Sequence, residues 1–579
     1  MSESKGVTVR LAEQRILQLA KVTGLGVAVG VVGAVLANLF VAGIGWLNDV
    51  LLISPRSRMM QTDSRWIVAA TLVVPALGGL IVGLLHRGIA EGRAHGPAEV
   101  IAAVQTRRGR LPARPAVLST LSSLVSLGSG ASVGQYGPLV YLGGSVGSIG
   151  ARLLRTDITV DNIAIACGVA AAISTVFNAP IAGILFAHEL ILRHFALRAF
   201  APVAVASIAG YVVANAVLPQ PPLFQIDPTP VLHLWEYGLF MVLGVASALV
   251  AVVYMQSIFA MGRFAGRLPL PRVLKPAVAG AVLGLTALWV PEILGIGSET
   301  LRFAFIEGAF GRGELVLVLV LKLLATAWCL GMGFSGGVFS PALVIGSLFG
   351  ALFGTLIGTV TGATSDLVVY AVCGMVAVTA PVIGAPLTAV IIIFELTGNY
   401  ELTIAALASV ALANLVASLL VGRSFFDRQL RQRGLDLSGG RSKALLVSRT
   451  IDSLTRDSFV SVAADASVAQ ARSAMAKAEA SEAYLVDASD RYQGKVTLQA
   501  LVEQEADRPA QAFKAVDDFV MDAHTTLWDA MQLLRQFVGE SVPVVGRDHT
   551  LEGTVYESNL IRAYLDIMSE MRREEYAND

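Results

Sequence analysis

Two short stretches in a largely apolar chain carry the residue types best suited to chemistry: Gly134-Gln135-Tyr136-Gly137-Pro138 and Gly337-Val338-Phe339-Ser340-Pro341. Neither offers a nucleophile with a base, or a metal-ligand set. What each offers is backbone. The first turn of a helix presents unpaired N–H groups and about half a positive charge. That holds an anion without a cationic side chain, which would bind the ion too tightly for it to leave. Glycine lets backbone and ion approach closely, and proline suits the first turn of the helix that follows. Both stretches read as loops feeding helices, and the chemistry they fit is reversible anion binding at Gln135, Tyr136, Gly137, Val338 and Phe339.

The elements that must position these loops belong to a membrane. The 579 residues are 55% hydrophobic and 15% charged, with 56 glycines and a mean hydropathy of +0.66; soluble domains carry about 25% charge. A formal net charge of zero leaves no basic surplus for nucleic acid. Cys167, Cys329 and Cys373 lie in apolar runs without ligand spacing, so no metal is expected. Residues 1–21 read as an amphipathic lead-in without a signal-peptide core. Apolar stretches then recur to about residue 431, seven before residue 220 and seven after. Those at 22–48 and 232–262 are long enough to cross at a tilt. Others are shorter than the ~20 residues a crossing needs, which predicts helices that break inside the membrane where freed backbone lines a cavity.

Duplication organises this region. Ala179-Pro180-Ile181-Ala182-Gly183 resembles Ala385-Pro386-Leu387-Thr388-Ala389, and in that register Glu189 falls on Glu395, 206 residues on. Gly134, Pro138, Gly143 and Gly147 fall on Gly337, Pro341, Gly346 and Gly350, 203 residues on. Near-equal spacings from separate motifs predict two repeats, about 22–220 and 225–435, whose relative orientation the segment count leaves open. Beyond Ser438 the patterning is that of a soluble α/β module at 445–575, with units at about 451–507 and 513–570 in the same strand–helix–strand–strand–helix order. That tandem order resembles a pair of CBS domains.

With both loops, the Phe177-Asn178-Ala179-Pro180-Ile181-Ala182-Gly183 run and the tandem tail in view, the chain resembles the CLC family of chloride channels and anion/proton exchangers. The resemblance implies an all-α, multi-pass, inverted-repeat fold with broken helices at 22–435. It also implies a homodimer with one anion pore per subunit, in a cell (inner) membrane, with both termini cytoplasmic. It brings further residues into the pathway: His95 and Gly96, where the family has a serine-bearing loop, and Phe426, where it has a central tyrosine.

Departures from the family pattern bear on mechanism. Where the family's first loop reads Gly-Arg-Glu-Gly-Pro, Gln135 and Tyr136 replace the arginine and the gating glutamate. Leu190 stands where exchangers carry an inner proton-relaying glutamate. Tyrosine, with a reference pKa near 10, and leucine cannot relay protons at neutral pH, so passive, proton-uncoupled passage of chloride or another small anion is expected. Two other readings stay open: an exchanger using Glu189 or His95 as substitute proton groups, and a poorly conducting sensor in which Tyr136 plugs the pore. Glu189 is expected to serve structure, since its repeat partner Glu395 suggests hydrogen bonding at a helix end. Lys322, in an apolar run, is expected to snorkel or pair. CBS pairs that bind adenine nucleotides carry a Thr and an Asp around the last strand–helix turn. The first unit keeps Thr497 but has Ala500, and the second has Tyr556 and Asn559, so no nucleotide or other cofactor is expected.

Overall fold

The computed structural model describes residues 2–61, 64–106, 109–156, 158–217, 230–362, 364–515 and 519–575. The chain divides into two units, Met1–Gly434 and Leu435–Asp579.

The first unit is helical throughout. Helix α1 spans Ser2–Val50 without a break where the sequence suggested a separate lead-in, followed by α2 (Pro55–Met60), α3 (Ser64–His86), α4 (Pro97–Gln105) and α5 (Ala113–Gly128). Helices α6 (Tyr136–Leu153), α7 (Ile158–Phe177), α8 (Pro180–Phe186) and α9 (Leu197–Val212) complete the first repeat. The second runs α10 (Glu236–Arg267), α11 (Lys275–Thr286), α12 (Ser298–Ala304), α13 (Arg312–Gly331) and α14 (Phe339–Thr361), then α15 (Leu367–Ile383), α16 (Pro386–Thr397), α17 (Tyr400–Val421) and α18 (Phe425–Arg431). Among the described residues eight helices are long and apolar enough to cross a bilayer, while Pro180–Leu192, Lys275–Thr286, Leu367–Ile383 and Pro386–Thr397 are too short. Large apolar side chains stand exposed along the outer faces, among them Leu39, Leu121, Leu249, Val253 and Leu419. Such faces suit contact with lipid.

Glycine sets the core spacing of both repeats in the same way. A Cβ on Gly147 would stand 2.0 Å from the Ala164 carbonyl oxygen, and one on its repeat partner Gly350 would stand 2.2 Å from that of Tyr370. Helix α6 therefore meets α7, and α14 meets α15, backbone to backbone. The buried centre of the unit is built around α7 and α15, nearly every residue of which is enclosed.

The second unit holds two α/β modules. In the first, β1 (Ser461–Ala463) pairs parallel with β2 (Glu482–Val486), which pairs antiparallel with β3 (Tyr492–Thr497); its helices are α20 (Val468–Lys477) and α21 (Leu498–Leu501), while the preceding α19 (Gly440–Ser448) buries Leu445 and Leu446 in the core of the second. In the second, α22 (Leu527–Leu534) precedes the antiparallel pair β4 (Ser541–Val545) and β5 (Leu551–Tyr556), and α23 (Glu557–Glu575) closes the chain. A register shift falls at the same place in both hairpins, at Leu485/Val486 and Val544/Val545.

Candidate functional site

The two glycine loops meet at the centre of the first unit. The Gly134 N–H donates to the Gly337 carbonyl at 2.7 Å and the Gly337 N–H returns the bond to Gly134 at 2.7 Å, an antiparallel bridge between the repeats. Only glycine permits it: a Cβ on Gly137 would stand 2.9 Å from the Gly337 Cα, and one on Gly134 2.8 Å from the Gly337 oxygen. The point where a Gly137 Cβ would stand lies 3.6 Å from Cδ of Pro97, so the N-termini of α4, α6 and α14 converge. Each of these helices starts with donors that its own turns leave unpaired. Neighbours pin the loops in place. Gln135 N–H donates to Ser340 Oγ at 3.2 Å, and the Tyr254 hydroxyl donates to the Val338 carbonyl at 3.0 Å. Ser335, just before the second loop, is held by His86 at 2.8 Å and Ser122 at 2.5 Å, and its N–H donates to Ser126 at 3.0 Å.

Tyr136 is fully buried at this junction. Its ring stacks on Phe177 with centroids 4.1 Å apart and lies 4.9 Å from Phe339, while Phe177 and Phe339 are 5.4 Å apart. The three rings form one aromatic cluster drawn from α6, α7 and α14. Among the described residues, the Tyr136 hydroxyl and both amide atoms of Gln135 are buried with no hydrogen-bond partner. Buried polar groups are nearly always paired, so orphans mark a place that a solvent molecule or ion completes.

A cavity of about 900 Å³ leads to the loops, reaching Pro138, Gly336, Gly337 and Val338 but not Tyr136. Five cationic residues line it, Arg93, Arg263, Arg272, Lys275 and Arg433, against Glu91 and Glu99. A cleft with a surplus of positive charge and low-dielectric walls concentrates anions. Phe426 on α18 lines the cavity, buried and edge-on to Phe425 at 5.8 Å. His95 also lines it, but with both ring nitrogens engaged: Nδ1 lies 2.9 Å from the Tyr141 hydroxyl and Nε2 2.9 Å from Glu91 Oε2. That bond from His95 holds the exposed Glu91 carboxyl below the usual carboxylate range. Glu99 turns back to accept the Gly96 N–H at 2.7 Å while pairing with Arg93 at 2.7 Å and with Arg433. One backbone donor suggested for the ion, at Gly96, is thereby taken within the protein.

The remaining sequence candidates lie away from the loops. Ala187–Leu192 forms a π-helix continuing α8. Leu190 is buried. Glu189 accepts the N–H groups of Leu387 (3.0 Å) and Thr388 (2.8 Å) and the Thr388 hydroxyl (2.7 Å) at the start of α16. Glu395 returns the arrangement, accepting the N–H groups of Ile181 (2.8 Å) and Ala182 (2.7 Å) at the start of α8. Each repeat's carboxylate caps the other repeat's helix. Lys322 neither snorkels nor meets an acid; it is wholly buried against backbone carbonyls. In the second unit the Thr497 hydroxyl accepts the Ala500 N–H as the N-cap of α21. Sequence reasoning missed His86, Ser122, Ser335 and the vestibule arginines. Arg93 and Arg433 were visible as charges flanking apolar runs; the serine and histidine contacts left no signal.

Comparison with known proteins places this architecture. A sequence model of the voltage gated chloride channel family matches residues 78–418, and one of the CBS domain matches residues 515–566. A Ralstonia nicotianae protein named as a ClcB-like chloride channel is 32% identical over 342 residues, spanning 58% of this chain and 79% of its own length. The H(+)/Cl(-) exchange transporter ClcA of Vibrio cholerae is 27% identical over 418 residues, spanning 70% and 88%. A slow cyanobacterial Cl-/H+ antiporter of known structure shares the fold, with TM-score 0.65 at 22% identity over 71% of this chain and 97% of its own. Bridged glycine loops between two helical repeats, followed by a CBS domain, thus belong to a protein of the voltage gated chloride channel (CLC) family.

Proposed function

We propose that this protein conducts small anions, chloride by family default, passively and without coupling to protons. The observation that carries the reading is the buried set of unpartnered Tyr136 and Gln135 polar atoms where three helix N-termini converge. Neutral donors at that point suit an anion, since a hydroxyl and an amide N–H both donate and neither competes as a charge. Coupled exchange needs groups that carry a proton along the path. Tyr136 sits among Phe177 and Phe339, Leu190 is apolar, and Glu189 is committed to capping α16. The electropositive cavity supplies the ion from one side. The working form is a homodimer in the cell membrane with cytoplasmic termini, and its CBS module takes no nucleotide.

The test is proton movement. Proteoliposomes holding the full chain are given an outward chloride gradient while internal pH is followed with a trapped dye. The reading expects rapid chloride efflux with no uphill proton uptake; proton accumulation against its gradient would overturn it.

A further inference from the structure

Among the described residues, Lys322 is the largest charged side chain that is wholly enclosed. It lies on α13, within a helix long and apolar enough to cross a bilayer. Its Nζ meets three carbonyl oxygens, those of Ile293 at 2.9 Å, Gly295 at 2.9 Å and Leu294 at 3.5 Å. An ammonium has three donors and no acceptor, whereas a neutral amine would turn a lone pair towards some donor. Three acceptors and no facing donor are the surroundings of the protonated form. None of these partners is a carboxylate. A buried charge is costly unless something compensates it, and carbonyl dipoles satisfy its hydrogen bonds without cancelling its net charge.

The placement points at the anion path. Gly295, which accepts from Lys322, donates its own N–H to the Gly130 carbonyl at 2.8 Å, four residues before Gly134. One turn along α13 on the same face, Thr326 bonds Ser132 at 3.1 Å. The Lys322 face of α13 therefore backs the segment that delivers the first glycine loop. From there α13 runs directly into the second loop.

We propose that Lys322 is a fixed positive charge behind the pore whose counter-charge is the permeating anion, and that it sets the anion affinity of the loops. It touches neither loop's donors and acts through the field in a low-dielectric interior. The proposal rests on anion conduction as read above.

Three variants of the full chain in proteoliposomes separate charge from scaffold. Lys322→Met removes both the charge and the hydrogen bonds. Lys322→Arg keeps the charge. Val344→Glu keeps Lys322 but supplies a partner: Val344 Cγ2 and Lys322 Nζ both stand within 3.2 Å of the point where a Cβ on Gly297 would lie. The chloride concentration for half-maximal flux should rise about tenfold in Lys322→Met and in Val344→Glu, the scale for a unit charge roughly 10 Å away at an effective dielectric of about 20. Lys322→Arg should stay near wild type. Val344→Glu carries the test where Lys322→Met does not assemble, as judged by gel filtration in detergent. Wild-type half-saturation in either folded neutralised variant overturns the proposal. Absence of chloride flux in wild type would instead sink the conduction reading, so the two failures are distinguishable.

Discussion

Tyr136 opens α6 inside the first glycine loop, and its surroundings say what a phenol can do there. The ring is stacked on Phe177 and fully enclosed, while the hydroxyl is left without a partner. On the conduction proposed above, the ring obstructs the path and the hydroxyl offers a donor. Tyr136→Ala should raise chloride flux several-fold in proteoliposomes while weakening anion affinity; a variant no faster than wild type would remove the obstructing role. His95 makes a different prediction. It lines the cavity with its ring held between the Tyr141 hydroxyl and the Glu91 carboxylate. His95→Ser removes the partner of that carboxylate and leaves its negative charge free in the vestibule, so chloride flux at neutral pH should fall; unchanged flux would exclude the histidine. The types of both residues were legible in the sequence as departures from a family pattern. Their partners were not, because Tyr141 and Phe177 lie 46 and 41 residues away along the chain and only folding brings them near.

At the level of elements, the reciprocal capping of α8 and α16 is the most explicit product of the duplication. A carboxylate that accepts two backbone N–H groups at a helix start both satisfies orphan donors and meets the positive end of the dipole. Glu189→Ala and Glu395→Ala should each cost about 1–2 kcal/mol of stability. In detergent this would appear as a lower Tm with unchanged half-saturating chloride; altered anion affinity with unchanged Tm would contradict a capping role. The long helices were readable from apolar runs, and the breaks from Gly and Pro, because both patterns are local. The short α4, α12 and α18 were not, having nine residues or fewer and little room for periodicity. The π-helical turn at Ala187–Leu192 also escaped, since its widening comes from packing and leaves no composition signal. The expectation that Lys322 snorkels or pairs fails for a related reason: a lysine in an apolar run looks the same whether or not water or an acid reaches it.

At the scale of the whole molecule, two repeats each supply one glycine loop, and the site exists only where they join. The recurrence of both motifs at nearly one spacing made the pairing legible, although the Gly134–Gly337 bridge itself is a long-range contact that no periodicity encodes. The C-terminal unit repeats its own hairpin geometry, with matching register shifts, yet the Thr497 hydroxyl is spent on a helix cap. Titration of the solubilised full chain with ATP and AMP should give no saturable heat; a saturable isotherm would restore a nucleotide role. The account as a whole turns on whether protons travel with the anion. The most direct measurement is the reversal potential of the reconstituted protein under equal chloride and a pH gradient, then under a chloride gradient at equal pH. Uncoupled conduction predicts zero in the first case and the chloride equilibrium potential in the second. A reversal potential that moves with the pH gradient would contradict it.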